Sequence, residues 1–357
     1  MKAAFVLCFF LLSSATYGQE SKYDWLMIYY MPYDNNLSPL ADTIVNQFVT
    51  SPISNRSCVI LQTDLAGAGG MRRYIINEDV ATIDIDEEHS ASPETFTSYL
   101  TWISENFKAD HYAIVLLSHG GLINEYGLDE YPTKQWLPID SLALSIRHFN
   151  KLVGISKVDL LFEQVCSRGT LENLFEFRDV SKFTLASQHL VPAPGYYYSH
   201  VFSSLDNVKA GDELADLIVR SEHDDMYYSL TLVDNSKWTR WAKLFDQYSR
   251  KIQKDRVTLI SDSLKVLTYW GGLYFDFSSL IKGSFLSGRV PSEGVRLLSF
   301  TNHQLIGKLY INQSNSLMND YLGISIISPF ISHDVRLSIH QDDGYQNWLQ
   351  SLKRNTR

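Results

Sequence analysis

The apolar positions fall into two alternating patterns. Trp25 to Met31 is a short continuous apolar run, as in a strand buried on both faces. Pro32-Tyr33-Asp34-Asn35-Asn36 is a turn cluster, and Leu37 to Val49 has helical spacing. Cys58 to Gln62 and Arg73 to Ile76 read as strands. Ser92-Pro93-Glu94 opens a helix through Phe96, Leu100, Ile103 and Phe107: Ser caps, Pro suits the first turn and Glu favours the dipole. Tyr112 to Leu117 is a strand, Pro138 to Leu152 a helix, and Val158 to Val165 a strand. Leu171 to Phe177 is helical and Phe183 to Ala186 extended. Strand–helix alternation of this kind predicts a mostly parallel sheet with helices on both faces.

The last third is less regular. Leu230 to Val233 reads as one more strand and Trp238 to Ile252 as an amphipathic helix, followed by strands at Leu273 to Phe277 and Gly323 to Ser328. No Pro- or Ser-rich linker marks a boundary. Residues 19–240 are expected to form the main domain, with 241–357 a smaller C-terminal subdomain packed on its sheet.

The N-terminus changes the picture. Lys2, the ten apolar residues Ala3 to Leu12 and the small residues up to Gly18 form a secretory signal pattern over residues 1–18. Ten apolar residues are too few to span a bilayer, and no later stretch is long and apolar enough either. Export to a periplasm or the extracellular space is expected. Cleavage removes Cys8 and leaves Cys58 and Cys166, too few for a disulfide framework, although one bridge would be possible. Cys58 opens an apolar run and reads as strand core.

Composition narrows the function. Charged residues are 20% of the chain and apolar ones 45%, so the whole chain is expected to be globular. A net charge of −9 argues against nucleic acid as the main partner. The ten histidines form no zinc-type pair, and Asp84, Asp86, Glu87 and Glu88 read as a solvated turn, so neither metal nor cofactor is expected. The partners expected are peptide or protein substrates, and the chain is expected to be a monomer.

Two strand ends carry the candidate chemistry. Tyr112–Leu117 runs into Ser118-His119-Gly120-Gly121, and Val158–Val165 runs into Cys166-Ser167-Arg168-Gly169. In an open parallel sheet, sites form at the carboxyl ends of the strands. One helical crossover would bring His119 and Cys166 to the same rim. An imidazole or a helix N-terminus helps a thiol lose its proton, and a helix is expected from about Gly169. The peptide N–H of Gly120 is a candidate oxyanion donor.

Several blocks then resemble the clostripain family of cysteine peptidases, relatives of caspases, gingipains and legumains. Tyr30-Met31-Pro32-Tyr33-Asp34-Asn35-Asn36-Leu37 is similar to a family strand and its turn. So are Leu61-Gln62-Thr63-Asp64 with Arg72-Arg73-Tyr74, and Ser92-Pro93-Glu94-Thr95 leading to His111-Tyr112-Ala113. Ala186-Ser187-Gln188 with Pro192, Pro194 and Gly195, then Phe275-Asp276-Phe277 and Gly323-Ile324-Ser325-Ile326, complete the series. The resemblance implies a caspase-like α/β fold, a His119–Cys166 dyad and a pocket for a preferred side chain beside the cysteine. Family members typically prefer Arg or Lys, and several are activated by a cut between the histidine and cysteine strands. Glu163, Gln164, Ser187 and Gln188 are the candidate substrate-binding residues.

The chain departs from the family at the pocket. Gln164 stands where the family usually places Asp, and Val191 and Pro194 stand where later acids are usual, with His189 nearby. Gln164 shares a face with Cys166; Glu163 points the other way unless a bulge intervenes. Strict preference for Arg or Lys is therefore not expected. Residues Leu122 to Leu137 read as an exposed irregular loop, with Lys134 the candidate site of self-cleavage. A secreted binding protein without activity is the alternative. An esterase is disfavoured, because no Gly-x-Ser-x-Gly turn is present.

Overall fold

The structure is a computed structural model that describes residues 22–66, 71–86, 88–255, 264–283, 290–312, 321–328 and 337–354. The expected signal at 1–18 and Glu87 of the acidic turn lie outside the described residues.

Strand β1 (Lys22–Tyr33) leads to α1 (Ala41–Thr50), then β2 (Ser57–Leu65), β3 (Met71–Ile76) and β4 (Val80–Ile85). Helix α2 (Pro93–Asn106) precedes β5 (Lys108–Leu117). The short strands β6 (Tyr126–Asp129) and β7 (Gln135–Leu137) come before α3 (Ile139–Val153), β8 (Val158–Gln164), α4 (Leu171–Glu176) and β9 (Ser181–Ala186). Helices α5 (Tyr198–Ser204) and α6 (Gly211–Ser221) precede β10 (Ser229–Asp234). Then follow α7 (Trp238–Asp255), β11 (Val266–Tyr269), β12 (Gly272–Asp276), α8 (Phe277–Gly283) and α9 (Ser292–Phe300). The last elements are β13 (Ile306–Ile311), β14 (Ser325–Ile327) and α10 (Asp343–Arg354).

A nine-stranded sheet has the order β13-β10-β9-β8-β5-β1-β2-β3-β4. Its centre, β2-β1-β5-β8-β9, is wholly parallel. Two antiparallel pairings close each side, so only β3 and β10 run against the rest. The fold is thus α/β with a mostly parallel sheet between helices, and β1 explains why its sequence is a continuous apolar run. Trp25, Met27, Tyr29 and Met31 enter the core under α1, α5 and α6, whereas Leu26, Ile28 and Tyr30 enter the core under α2 and α3. Alternate side chains of a central strand go to opposite faces, and here both faces are covered. The Ser92 side chain caps α2 by accepting from Glu94 N and Thr95 N, with Pro93 in the first turn.

A third core joins the C-terminal elements to the sheet. Trp241 and Phe245 of α7 and Trp348 of α10 pack with Leu171 and Leu174 of α4 and Val233 of β10. A second sheet, β11-β12-β14, stands beside this core. It is tied to the cysteine loop where Ser325 N donates to Gly169 O at 2.8 Å.

Two local expectations are corrected. The segment 122–137 is not an irregular loop: β6 and β7 pair antiparallel, with Tyr126 and Leu128 buried. The buried Asp129 carboxylate holds the turn end of the hairpin, accepting from Ser90 N at 2.7 Å, Ser90 Oγ at 3.0 Å and Tyr131 N at 3.1 Å. Second, the helix after the cysteine starts at Leu171, where the apolar pattern put it, and not at about Gly169, because Thr170 caps it by accepting from Asn173 N. Among the described residues, no helix is long and apolar enough to cross a membrane.

Candidate active site

The register of the central strands decides where the two candidate residues fall. β5 and β8 pair in parallel with Leu117 opposite Gln164. Two positions further along each chain stand His119 and Cys166. A Cβ at Gly120 would lie 2.6 Å from the Cys166 carbonyl oxygen and 3.0 Å from Val165 Cγ1, so only glycine lets the two loops approach this closely. Gly121 N donates to Glu125 O at 3.0 Å and Gly127 N to His119 O at 2.9 Å. The N–H of Gly120 takes part in neither bond.

His119 has an orienting partner that the sequence reading passed over. Its Nε2 lies 2.7 Å from Asn36 Oδ1. An amide oxygen only accepts, so Nε2 carries the proton and Nδ1 keeps a lone pair. Burial pushes the imidazole below its ordinary pKa, against the opposite pull of Glu130, which keeps the ring neutral and basic at Nδ1. Asn36 belongs to the turn after β1. Its neighbour Asn35 anchors that turn by donating to Leu128 O at 2.6 Å and accepting from Leu37 N at 2.9 Å. The clue in the sequence was the Asp-Asn-Asn run itself: short amides favour turns and also orient imidazoles.

Cys166 is half-buried and Cys58 fully buried; both are free thiols. Val191 N donates to Cys166 Sγ at 3.4 Å. The next residue, Ser167, has a left-handed φ of 56° and donates its N–H to His189 O at 2.8 Å. A non-glycine residue in that region costs on the order of 1–3 kcal/mol, and such strain gathers at functional turns. Burial pushes the Cys58 thiol up to about 12, so it stays protonated within β2.

Two buried side chains brace the rim. Arg168 is buried, and its guanidinium donates to Gly121 O at 2.9 Å, Glu125 O at 3.0 Å and Leu122 O at 3.2 Å. Glu163 lies on the other face of β8 from Gln164, fully buried, and accepts from Asn173 Nδ2 at 2.7 Å. Burial pushes its carboxyl up to about 8, with Arg168 and Asn173 opposing. Glu163 is therefore not brought to the substrate side. Ser187 is fully buried and accepts from His189 N at 3.1 Å. Gln188 donates to Asp276 Oδ2 at 3.1 Å and accepts from Gly323 N at 3.1 Å, so it joins the C-terminal elements to β9.

Gln164 does face the helices of the Cys166 side. Tyr197 Oη donates to its Oε1 at 2.9 Å, and its Nε2 points at Tyr198 Oη, 3.5 Å away. A Cβ at Gly195 would meet both Gln164 Nε2 at 2.7 Å and Glu222 Oε2 at 2.8 Å. Glu222 accepts from Tyr196 N at 2.9 Å and His223 N at 2.8 Å, and burial raises its carboxyl. No local sequence signal ties Glu222 to this place, since it arrives at the end of α6.

The aromatic tip between β11 and β12 also reaches the rim. The Trp270 ring meets His119 edge-on at 6.0 Å and Trp136 at 5.5 Å between centroids. The Tyr269 ring stands edge-on to Trp270 at 6.4 Å between centroids. Away from the rim, carboxylate oxygens of the buried Asp34, Asp64 and Asp129 lie within 4.8 Å of one another. Those of Asp129 are engaged by Ser90, Tyr131 and, at 2.8 Å, His89 Nδ1, which fits a structural hub under the hairpin.

Known proteins give this geometry a context. The chain is 26% identical over 152 residues to clostripain of Hathewaya histolytica, a stretch covering 37% of this chain and 27% of that protein. The match thus reaches across only about a quarter of the relative's length. A secreted C11 cysteine protease from Bacteroides thetaiotaomicron, solved with an irreversible peptide inhibitor, shares the fold at a TM-score of 0.67 and 15% identity, covering 91% of this chain and 98% of that one. An inactive zymogen C11 protease from Parabacteroides distasonis superposes with a TM-score of 0.62 and 15% identity, over 93% of this chain and 97% of that one. The profile of the Clostripain family matches residues 29–284, most of the chain, and this chain belongs to that family.

Proposed function

We propose that the protein is an exported cysteine endopeptidase with Cys166 as nucleophile and His119 as general base and acid. The observation that carries this reading is the parallel register of β5 and β8, which sets His119 level with Cys166, together with the Asn36 contact that leaves Nδ1 free to act. His119 Nδ1 takes the thiol proton, and Sγ bonds to the scissile carbonyl carbon. The carbonyl electrons move to oxygen, where the N–H of Gly120 donates. Collapse of this intermediate expels the amine, which leaves with the proton from the imidazolium, and a thioester remains. Water, deprotonated by His119, then attacks the thioester and releases the acid. Cys166→Ala and His119→Ala are expected to abolish peptide cleavage and keep the fold. Full activity in Cys166→Ala, with Cys58 present, ends the reading.

Specificity follows from Gln164. Both ends of its amide face tyrosine hydroxyls, so it offers a basic side chain no charge, and a cation is poorly held without a paired charge. The enzyme is expected to show weak preference for Arg or Lys, with the Glu222 carboxylate, which meets Gly195 beside the Gln164 amide, as an acid close to the pocket. Gln164→Asp should favour Arg and Lys by about tenfold to a hundredfold, the worth of one charge-assisted hydrogen bond. Cleavage profiles of both forms on a mixed peptide library decide this. Strict cleavage after Arg or Lys by the unmodified enzyme would give the pocket's charge to Glu222 instead.

A further inference from the structure

The turn that joins β11 to β12 consists of Trp270 and Gly271, at φ 47° and 77°, both left-handed. Asn-Gly fits a two-residue hairpin turn of this kind without strain, and a bulky Trp does not. A strained residue persists only where its surroundings hold it, and such residues gather at functional sites. The surroundings here are the active-site rim. The Trp270 ring stands edge-on to both His119 and Trp136, yet half of it stays exposed. Trp136 is itself only part-buried. Two indole rings, 85° apart in plane, thus leave an apolar shelf open beside the catalytic base.

The shelf and the Gln164 pocket lie on opposite sides of the dyad. Gln164 meets Tyr197 and Tyr198, which belong to the core under α1, α5 and α6. Trp136 is carried by β7, and the Tyr126–Leu137 pair of the same hairpin belongs to the core under α2 and α3. A Cβ at Gly121 would lie 3.1 Å from the Trp136 ring, so the ring rests on the histidine loop. The proposed reaction gives the two sides different substrate residues. The side chain before the scissile bond enters beside Gln164. The residue after that bond carries the leaving amine, and the amine must reach the His119 imidazole to take its proton. The side chain of that residue is therefore brought next to the ring that flanks His119.

We propose that Trp270, with Trp136, binds the side chain of the substrate residue directly after the scissile bond and selects an apolar or aromatic one. The inference rests on His119 and Cys166 being the dyad. A side chain laid on this shelf takes its own apolar surface and the exposed half of Trp270 out of water. For an aromatic residue, edge-to-face ring contact adds to that. Burial on this scale favours Phe over Gly at that position by about tenfold to a hundredfold in kcat/KM.

Internally quenched peptides that differ only in the residue after the bond (Phe, Leu, Asp or Gly) test this, with the cut located by mass spectrometry. All share one acyl half, so they form the same thioester, and kcat/KM reports the step that forms it. The wild type should cleave the Phe peptide about tenfold to a hundredfold better than the Gly peptide. Trp270→Asn replaces the ring by the residue that the turn favours, so the hairpin is kept. It should bring that ratio close to one, and Trp270→Phe should retain most of it. A wild type indifferent to this residue overturns the proposal. So does an unchanged ratio in Trp270→Asn, whether all rates fall together, as for a ring that only orients His119, or rise together, as for a cover over the dyad. Full cleavage by Cys166→Ala would strike the dyad and this proposal together, whereas an indifferent wild type strikes the shelf alone.

Discussion

Arg168 donates to the carbonyl oxygen of Gly121 at 2.9 Å, so the loop after the cysteine grips the loop after the histidine. Three backbone carbonyls in all share this one guanidinium. A lysine has no planar fork to satisfy them together.

Arg168→Met is therefore expected to lower stability by about 3 kcal/mol or more, since buried acceptors lose charged donors. It should also lower kcat at least about tenfold by loosening the rim. Arg168→Lys should recover little of either. Urea denaturation and steady-state kinetics on the same preparations check both, and wild-type kcat in Arg168→Met would show that the rim holds itself.

Glu163 gives a pH signature. Its folded-state value of about 8 stands above the unfolded value of about 4.3, so the folded protein binds the extra proton. Its contribution is full below about pH 4.3 and is lost as pH rises towards about 8. Glu172, raised to about 7 by burial, adds in the same sense. Glu163→Gln should flatten the decline of unfolding free energy between pH 5 and 8, by at most about 1.4 kcal/mol per pH unit. A slope identical to the wild type would mean that Glu163 is ionised in the folded protein.

Asn36 sets the His119 tautomer by accepting from Nε2. Asn36→Ala is expected to lower kcat on the order of a hundredfold, with KM nearly unchanged, because the imidazole must now find its orientation in each turnover. The loss should stay below that of His119→Ala. Kinetics unchanged by Asn36→Ala would show that packing alone, for instance against Trp270, orients the ring.

Lys134 lies in the exposed turn between β6 and β7, 3.8 Å from Glu130 and otherwise open to solvent. We expect slow self-cleavage at Lys134–Gln135 if the pocket takes a basic residue. The fragments should remain together, because β5 before the cut and β8 after it pair along their length. Incubating the mature protein beside its Cys166→Ala form gives two fragments in the first and an intact chain in the second. An intact, fully active wild-type chain would refute it.

The sequence read best where one strand covers its own evidence. The doubly buried runs at 25–31, 112–117 and 158–165 were legible because burial on both faces leaves no polar alternation. The placement of His119 and Cys166 followed from parallel pairing alone. The hairpin at 126–137 was not legible: its Gly, Pro and Asp residues speak for a loop, and the contacts that hold it, such as Ser90 with Asp129 and Asn35 with Leu128, come from distant parts of the chain. Gln188 resembled a pocket residue by its position after β9, yet Asp276 and Gly323 claim it. Glu222 and Tyr269 lie 56 and 103 residues beyond Cys166, and no local pattern reaches that far.

The antiparallel pairing of β10 with β13 has a consequence for dissecting the molecule. β13 comes from residues 306–311, far beyond the strands it completes. A fragment that stops at residue 240 would keep every residue of the dyad but present Ser229–Asp234 as a bare row of backbone donors and acceptors. Such a row recruits whatever extended chain it meets, including another copy of itself. The shortest version of this protein that stays in solution is therefore longer than the shortest one that contains its chemistry.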